Sequence, residues 1–156
     1  MTRDVPRLPV VVWLERRALQ SRWASHEWRL AGVGKPDDPA PVEGARATAG
    51  LDISLHADEA EGYYLNASSG MPVAFVMSRA PGEDDGPDAP PRPHFVTLSY
   101  NEAARLLDAQ ERVDSVPLQA DLARWLAEYV AANYRPEPKK RRAKASFLSP
   151  AQRARL

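Results

Sequence analysis

Cysteine is absent from the 156 residues of the chain, and this absence removes several kinds of chemistry. Disulfide bonds, thiolate metal ligands, iron–sulfur ligation and cysteine nucleophiles all require this residue. A chain without cysteine also fits the cytoplasm, where disulfide bonds are rare.

Long apolar runs are missing as well. No run approaches the roughly 20 residues that a membrane-spanning helix needs. The longest, residues 8–14, is interrupted by Pro9 and is followed by three charged residues. Arg3 and Arg7 precede this run, but no small-residue cleavage site follows it, so it does not have the pattern of a signal peptide. We therefore expect a cytoplasmic protein with no membrane span.

Glycine-rich and histidine-based motifs are not found either. Gly32 and Gly34 have neither the third glycine nor the βαβ context of a dinucleotide-binding fingerprint. The three histidines, His26, His56 and His94, do not have the spacing of metal ligands. We expect no cofactor, and ordinary strand or surface positions for these histidines.

Two short segments contain reactive residue types without a complete motif. Residues 58–62 place three acids near His56 but lack the alternating acids and central glycine of a calcium loop. Residues 68–70, Ser-Ser-Gly, are not the glycine-flanked serine elbow of hydrolases. We expect a solvated acidic turn, no metal site and no enzymatic activity. A small-molecule enzyme is the least favoured function.

Charge is plentiful but unevenly distributed. The chain has 21 basic and 21 acidic residues, yet residues 136–156 hold seven basic residues against Glu137 alone, a net charge of +6. Residues 1–135 therefore carry a net charge of −6. Separated charge acts on association more than on folding. An acidic body with a basic tail predicts contact with a partner.

The order of the predicted elements indicates an α+β fold. Strand-like stretches lie near residues 10–15, 23–33, 51–55, 63–66, 73–77 and 94–98. Two helices follow: Ser99 and Glu102 have the spacing of a capping box, and Pro117 fits the first position of a second helix that ends at Arg135. Strands followed by helices favour an antiparallel β-sheet or partly closed barrel, with a pleckstrin-homology-like arrangement as one form.

One domain accounts for most of the chain. We expect it to span residues 1–135, followed by a basic and disordered tail over residues 136–156. Residues 35–50 and 81–93 are rich in proline, and the second segment is also acidic, so both are predicted to be mobile surface loops.

Aromatic pairs offer a further possibility for binding. Tyr63 with Tyr64 and Trp23 with Trp28 could form stacking platforms for bases. Packing in the core or at its rim is favoured instead, because an acidic body repels phosphates. In a strand the two tyrosines would face opposite sides, so one of them belongs in the core.

The tail contains a dense basic cluster of Lys139, Lys140, Arg141, Arg142 and Lys144. Such a cluster can meet an acidic protein, a nucleic acid or an anionic membrane, or it can fold back on the acidic body. Phe147 and Leu148 precede a Ser-Pro helix-start signal, which is typical of a segment that folds on a partner.

Three stretches stand out as a set: residues 58–66 (DEAEGYYLN), residues 96–105 (VTLSYNEAAR), and Trp125-Leu126 together with residues 134–140 (YRPEPKK). They resemble a small bacterial family of unknown function, number three-three-zero-five in the domain-of-unknown-function series. The likeness runs from about Leu8 to Arg142, and the family has no agreed catalytic residues to carry over. Its members are typically encoded beside molybdenum-dependent formate dehydrogenases and their maturation factors. The resemblance therefore implies an accessory role in making, regulating or docking such an enzyme.

We expect a non-enzymatic accessory protein that binds a protein partner, such as a formate dehydrogenase subunit or maturation factor. Binding of nucleic acid or another polyanion through the tail is the alternative, and a homodimer remains open. The predicted contact residues lie in the tail and on the exposed side of residues 58–64: Lys139, Lys140, Arg141, Arg142, Lys144, Phe147, Leu148, Glu59, Glu61, Tyr63 and Tyr64.

Overall fold

A computed structural model describes residues 5–136, which form a mixed α+β fold with two antiparallel sheets of three strands and three helices. In chain order the elements are β1 (Arg7–Ala18), β2 (His26–Gly34), β3 (Arg46–Ser54), α1 (Ala60–Ala67), β4 (Val73–Arg79), β5 (Arg92–Thr97), α2 (Tyr100–Asp108), β6 (Arg112–Pro117) and α3 (Ala120–Asn133). The predicted α+β class and antiparallel pairing are confirmed.

The first sheet has the order β2-β1-β3, with β1 at its centre. Residues of β1 from Val10 to Leu14 are buried on both faces, which explains the continuous apolar run in the sequence. Bulges interrupt the pairing of β1 with each neighbour, and bulges bend and twist a strand. This central strand therefore has both edges paired and both faces covered.

The second sheet has the order β5-β4-β6. Its edge strand β5 lies beside β3 of the first sheet, and β6 lies beside β2. The two sheets stay separate, so the predicted barrel is not a closed one. The pleckstrin-homology-like arrangement stays a prediction.

Residues 57–67 form a 3₁₀ turn and a helix, where the sequence predicted an acidic turn followed by a strand. Ala57–Glu59 form a 3₁₀ turn and α1 begins at Ala60. The tyrosines suggested a strand because aromatic residues favour strands, yet Tyr63 and Ala67 lie one helical turn apart and both pack on the core. Acids before and within the first turn also suit a helix N-terminus.

Two other boundaries differ from the prediction. Pro117 ends β6, an edge strand that the sequence did not reveal, and α3 begins only at Ala120. Proline is tolerated at this position because an edge strand leaves some backbone groups unpaired. Residues 46–50, predicted to be part of a mobile loop, form the first half of β3.

The predicted N-cap of α2 is confirmed, but the second hydrogen bond of the predicted capping box, from the Ser99 N–H to the Glu102 carboxylate, is replaced by two others. The Ser99 Oγ accepts from the Glu102 N–H at 3.1 Å. The Glu102 carboxylate accepts from the Thr97 hydroxyl instead of from the Ser99 N–H, which donates to Thr97 Oγ1 at 3.0 Å. The Thr97 hydroxyl therefore links the Ser99 N–H to the Glu102 carboxylate.

One core joins both sheets to α1 and α3. Its most deeply buried members come from each layer: Val12, Val33, Ile53, Tyr63, Val76, Leu98 and Leu126. Among the described residues, no helix has the length and apolar character needed to cross a membrane.

Candidate functional site

Glu59, a predicted contact residue, is buried where α1 meets α2. One carboxylate oxygen accepts from the Ser99 hydroxyl at 2.5 Å, and the other pairs with the Arg105 guanidinium. Gly62 makes this approach possible, because a Cβ there would overlap the Ser99 hydroxyl. Glu59 thus joins two helices and lies outside any exposed contact surface.

Tyr63 is fully buried, which confirms that one tyrosine of the pair belongs to the core. Its hydroxyl accepts from the His56 N–H at 2.9 Å and donates to the Ser54 carbonyl at 3.2 Å. Its ring makes an edge contact with Tyr129, at 5.7 Å between centroids. Tyr63 is therefore not the exposed partner contact that the sequence predicted, because no part of its side chain reaches the surface.

Glu61 and Tyr64 keep the exposure that a contact role requires, although they belong to a helix and not a strand. Glu61 is exposed and Tyr64 is half-buried. The Tyr64 ring lies 4.8 Å from that of Tyr134 between centroids. Because Tyr134 follows directly on α3, the chain leaves the domain beside this face of α1.

The predicted tail contacts lie outside the described residues: Lys139, Lys140, Arg141, Arg142, Lys144, Phe147 and Leu148. Their predicted role stays a prediction. What the fold adds is the position of Tyr134, which precedes the tail and packs against Tyr64 of α1.

A second surface lies where the β1–β2 hairpin extends past the core. Leu14 and Leu30 are paired residues that pack in or against the core, and two residues further along Arg16 pairs with Trp28 on the same face. Arg46 of β3 also joins this face, with its guanidinium carbon 5.7 Å from the Trp28 ring centroid. A cation over an indole ring is a favourable contact.

Trp28 lines two adjoining depressions, of about 330 and 490 Å³, and a third of about 490 Å³ shares Arg46 with the second. We call the three together the Trp28 groove. The floor is basic and aromatic and consists of Arg16, His26, Trp28, Arg46 and Arg92. The cover is the connection from β4 to β5, residues 80–91, which we call the acidic loop.

Trp23 stands at one end of the Trp28 groove with 92% of its surface exposed. Core or rim packing was expected for both tryptophans. It is confirmed for Trp28, which packs against the core, and is wrong for Trp23. The alternating pattern around Trp28 could not show this, because Trp23 falls in the turn before β2 begins at His26.

The acidic loop is tied to the groove floor by two of its three aspartates. Asp88 Oδ1 lies 3.2 Å from His26 Nε2, and the Asp88 carbonyl accepts from the Trp28 indole N–H at 3.0 Å. Asp85 Oδ2 lies 2.5 Å from a guanidinium nitrogen of Arg92. The N–H of Gly82 and, next, Arg92 hold the pKa of Asp85 below its usual value.

The histidines are spread over the fold, and within residues 5–136 no group of three histidine and acidic side chains is arranged to hold a metal ion. His26 pairs with Asp88 and contacts Arg16, whose Nη2 lies 3.1 Å from His26 Nδ1. Since arginine can only donate, Nδ1 accepts and Nε2 carries the hydrogen that faces Asp88. His56 and His94 are exposed.

Comparison with known proteins identifies one family. The family described as "Protein of unknown function (DUF3305)" matches residues 9–143. No curated protein and no solved structure matches the chain. The match covers most of the 156 residues and includes both candidate surfaces, the outer side of α1 and the Trp28 groove. The chain therefore belongs to this family of unknown function.

Proposed function

We propose that this protein is a non-enzymatic accessory factor that works by binding a protein partner. The observation that carries the proposal is Trp23, a fully exposed tryptophan beside a groove lined by Trp28 and arginines. Tryptophan and arginine dominate the residues that contribute most to protein–protein affinity. Exposure of a large indole ring costs solubility, and a partner that covers it removes that cost.

The partner in this proposal is a subunit or maturation factor of a molybdenum-dependent formate dehydrogenase. The support is the resemblance of the family, whose members are typically encoded beside such enzymes. The basic tail would speed the encounter with the partner, and the groove would decide which partner stays bound.

Binding of nucleic acid or another polyanion is the alternative. The basic cluster of the tail favours it, with a net charge of +6 over residues 136–156. The net charge of −6 on the body opposes phosphates near the domain. A gel shift with the whole chain and with a tail-truncated chain separates this function from the first.

The test is capture of the partner by the tagged full-length chain from the native cell, followed by titration of the purified partner. Trp23→Ala is the key variant, and it should weaken binding about tenfold or more, as loss of a central aromatic contact does. Met71→Ala is the matched control, because Met71 is also an exposed apolar residue but lies in the turn before β4.

Each outcome has a separate meaning. Capture of a formate dehydrogenase component that depends on Trp23 supports the whole proposal. A different protein that depends on Trp23 supports an accessory role and removes this partner. Capture that Trp23→Ala leaves unchanged contradicts the surface, and recovery of nucleic acid alone favours the alternative.

A further inference from the structure

The acidic loop covers the Trp28 groove and lines it with Asp85, Asp88 and Ala89, opposite a floor that comes from β1, β2, β3 and β5. Residues 83–88 of the loop are all exposed. Its polar attachment within the described residues consists of the ion pair between Asp85 and the exposed Arg92, a hydrogen bond from the His26 ring to Asp88 and one indole hydrogen bond. Exposed ion pairs contribute little to stability, so the loop is a weakly held occupant.

The contacts of the loop define what the floor recognises. Two carboxylates, those of Asp85 and Asp88, meet Arg92 and His26. One main-chain carbonyl accepts from the indole N–H of Trp28. An extended peptide with acids about three residues apart supplies this combination of groups.

Two arginines of the floor have no carboxylate of the loop as a partner among the described ion pairs. Arg16 contacts the ring of His26, and Arg46 lies over Trp28. With the loop in place, the floor therefore still has cationic groups free to attract acids. With Asp85 and Asp88 removed, it would carry the charges of Arg16, Arg46 and Arg92 without compensation by the loop.

We infer that the Trp28 groove docks an acidic, extended segment of a protein partner, and that Asp85 and Asp88 occupy the groove until this segment displaces them. The inference rests on the proposed function in one respect, that the partner is a protein. A peptide fits better than a nucleic acid, because the occupant already seated there is a peptide that uses a main-chain carbonyl.

Displacement also explains why the cover is acidic and rich in proline. A ligand whose groups match those of the loop must compete with it. Its apparent affinity therefore equals its intrinsic affinity multiplied by the fraction of molecules in which the loop has left the groove. Proline limits the conformations of the released loop and lowers the entropy gained on release. The loop would thus act as a specificity filter, because only a segment with matching acids replaces it.

The experiment uses the full-length chain and a fluorescein-labelled synthetic peptide with the sequence of residues 81–91, measured by fluorescence anisotropy. The variant Asp85→Asn/Asp88→Asn should bind this peptide at least tenfold more tightly than the unmodified chain, because its own loop no longer competes. The matched control is Glu83→Gln/Asp84→Asn, which removes two charges from the same loop without touching the floor. It should leave the affinity unchanged.

A second set of variants tests the floor. Adding Arg16→Glu and Arg46→Glu to the Asp85→Asn/Asp88→Asn chain should abolish the gain in affinity. Arg79→Glu, an exposed arginine paired with Glu111 outside the groove, should not. Circular dichroism of every variant establishes that the fold is intact before binding is compared.

Several results would overturn the inference. Equal affinity of the unmodified and Asp85→Asn/Asp88→Asn chains would show that the loop does not compete. Binding that ignores Arg16→Glu/Arg46→Glu would place the peptide on the basic tail. Tighter binding of a labelled oligothymidylate with the same dependence on Arg16 and Arg46 would assign the groove to nucleic acid.

The two proposals can fail separately. If the peptide does not bind but capture of the partner depends on Trp23, the proposed function stands and the docking mode is wrong. If the peptide binds as expected but no protein partner is captured, the groove is correct and the proposed function is wrong.

Discussion

At the residue scale, the Tyr63 hydroxyl shows how one buried polar group connects separate segments. It bonds to the main chain of both Ser54 and His56, at the end of β3 and just after it. Burial raises the pKa of Tyr63 to about 12, because the anion would lose its hydration. A side chain predicted to meet a partner instead fixes the entry into α1.

This pKa predicts a loss of stability at alkaline pH. Tyrosine in the unfolded chain has a pKa of about 10, so between pH 10 and 12 the unfolded state loses this proton first. The contribution of Tyr63 to the free energy of unfolding should be fully present below pH 10. Above pH 10 it should fall by about 1.4 kcal/mol per pH unit, and by up to about 3 kcal/mol in total. Urea unfolding at pH 9 and pH 11 measures the change.

Tyr63→Phe and Tyr100→Phe provide the comparison, since Tyr100 is an exposed tyrosine. Tyr63→Phe should be less stable than the unmodified chain at pH 9 and should lose part of the alkaline dependence. Tyr100→Phe should keep the full dependence. Identical alkaline slopes for the unmodified chain and Tyr63→Phe would contradict the assignment.

At the element scale, Asn66 holds three elements together. Its amide nitrogen donates to the carbonyls of Val73 and Leu98, at 2.8 and 2.9 Å, and its amide oxygen accepts from the Val73 N–H at 2.9 Å. The end of α1 is thereby joined to the start of β4 and to the residue after β5. Because Asn66 is fully buried, water cannot replace these bonds.

Asn66→Asp should therefore destabilise the fold strongly. The new oxygen cannot donate, so two buried carbonyls lose a donor and face a carboxylate; the expected loss is about 3 kcal/mol, since each unsatisfied buried group costs about 1–3 kcal/mol. Urea unfolding at neutral pH measures it. Asn133→Asp is the matched control, because that exposed amide donates to Tyr129 at the end of α3. Similar losses for both variants would argue against the role of Asn66.

Local sequence patterns predicted some of the strands and helices and missed others. Residues 51–55 predicted β3 because apolar and polar side chains alternate with the period of a pleated strand. The β-branched, aromatic and apolar composition of β1, β4 and β5 predicted these three as strands. α1 was missed because its short run of tyrosines resembles a strand, and its burial depends on Gly62 fitting against Ser99. β6 was missed because an edge strand buries little, so its sequence carries a weak pattern.

At the scale of the whole molecule, charge is separated along the chain. Residues 1–135 carry a net charge of −6 and residues 136–156 a net charge of +6, and Tyr134, just before the basic segment, packs against Tyr64 of α1. Oppositely charged surfaces raise the association rate more than they slow dissociation. Salt reduces this attraction, because the screening length is about 8 Å at physiological ionic strength.

Association with the partner should therefore slow as salt rises from low to physiological concentration, while dissociation changes little. Surface plasmon resonance with the full-length chain measures both rates. A chain in which Lys139, Lys140, Arg141 and Arg142 are replaced by glutamine should lose most of the salt dependence. An association rate that is the same at all salt concentrations would contradict this mechanism.

The sequence by itself determined the α+β class, the antiparallel pairing, the N-cap of α2 at Ser99 and the separation of charge along the chain. These properties depend on local periodicity, capping chemistry and composition, which neighbouring residues carry. The tertiary structure alone decided that Glu59 and Tyr63 are internal and that Trp23 is exposed. It also decided that Arg16, Arg46 and Arg92 lie in the joined depressions of one groove, because the pairing of β1 with β3 and the contact of β3 with β5 bring together strands from distant parts of the chain.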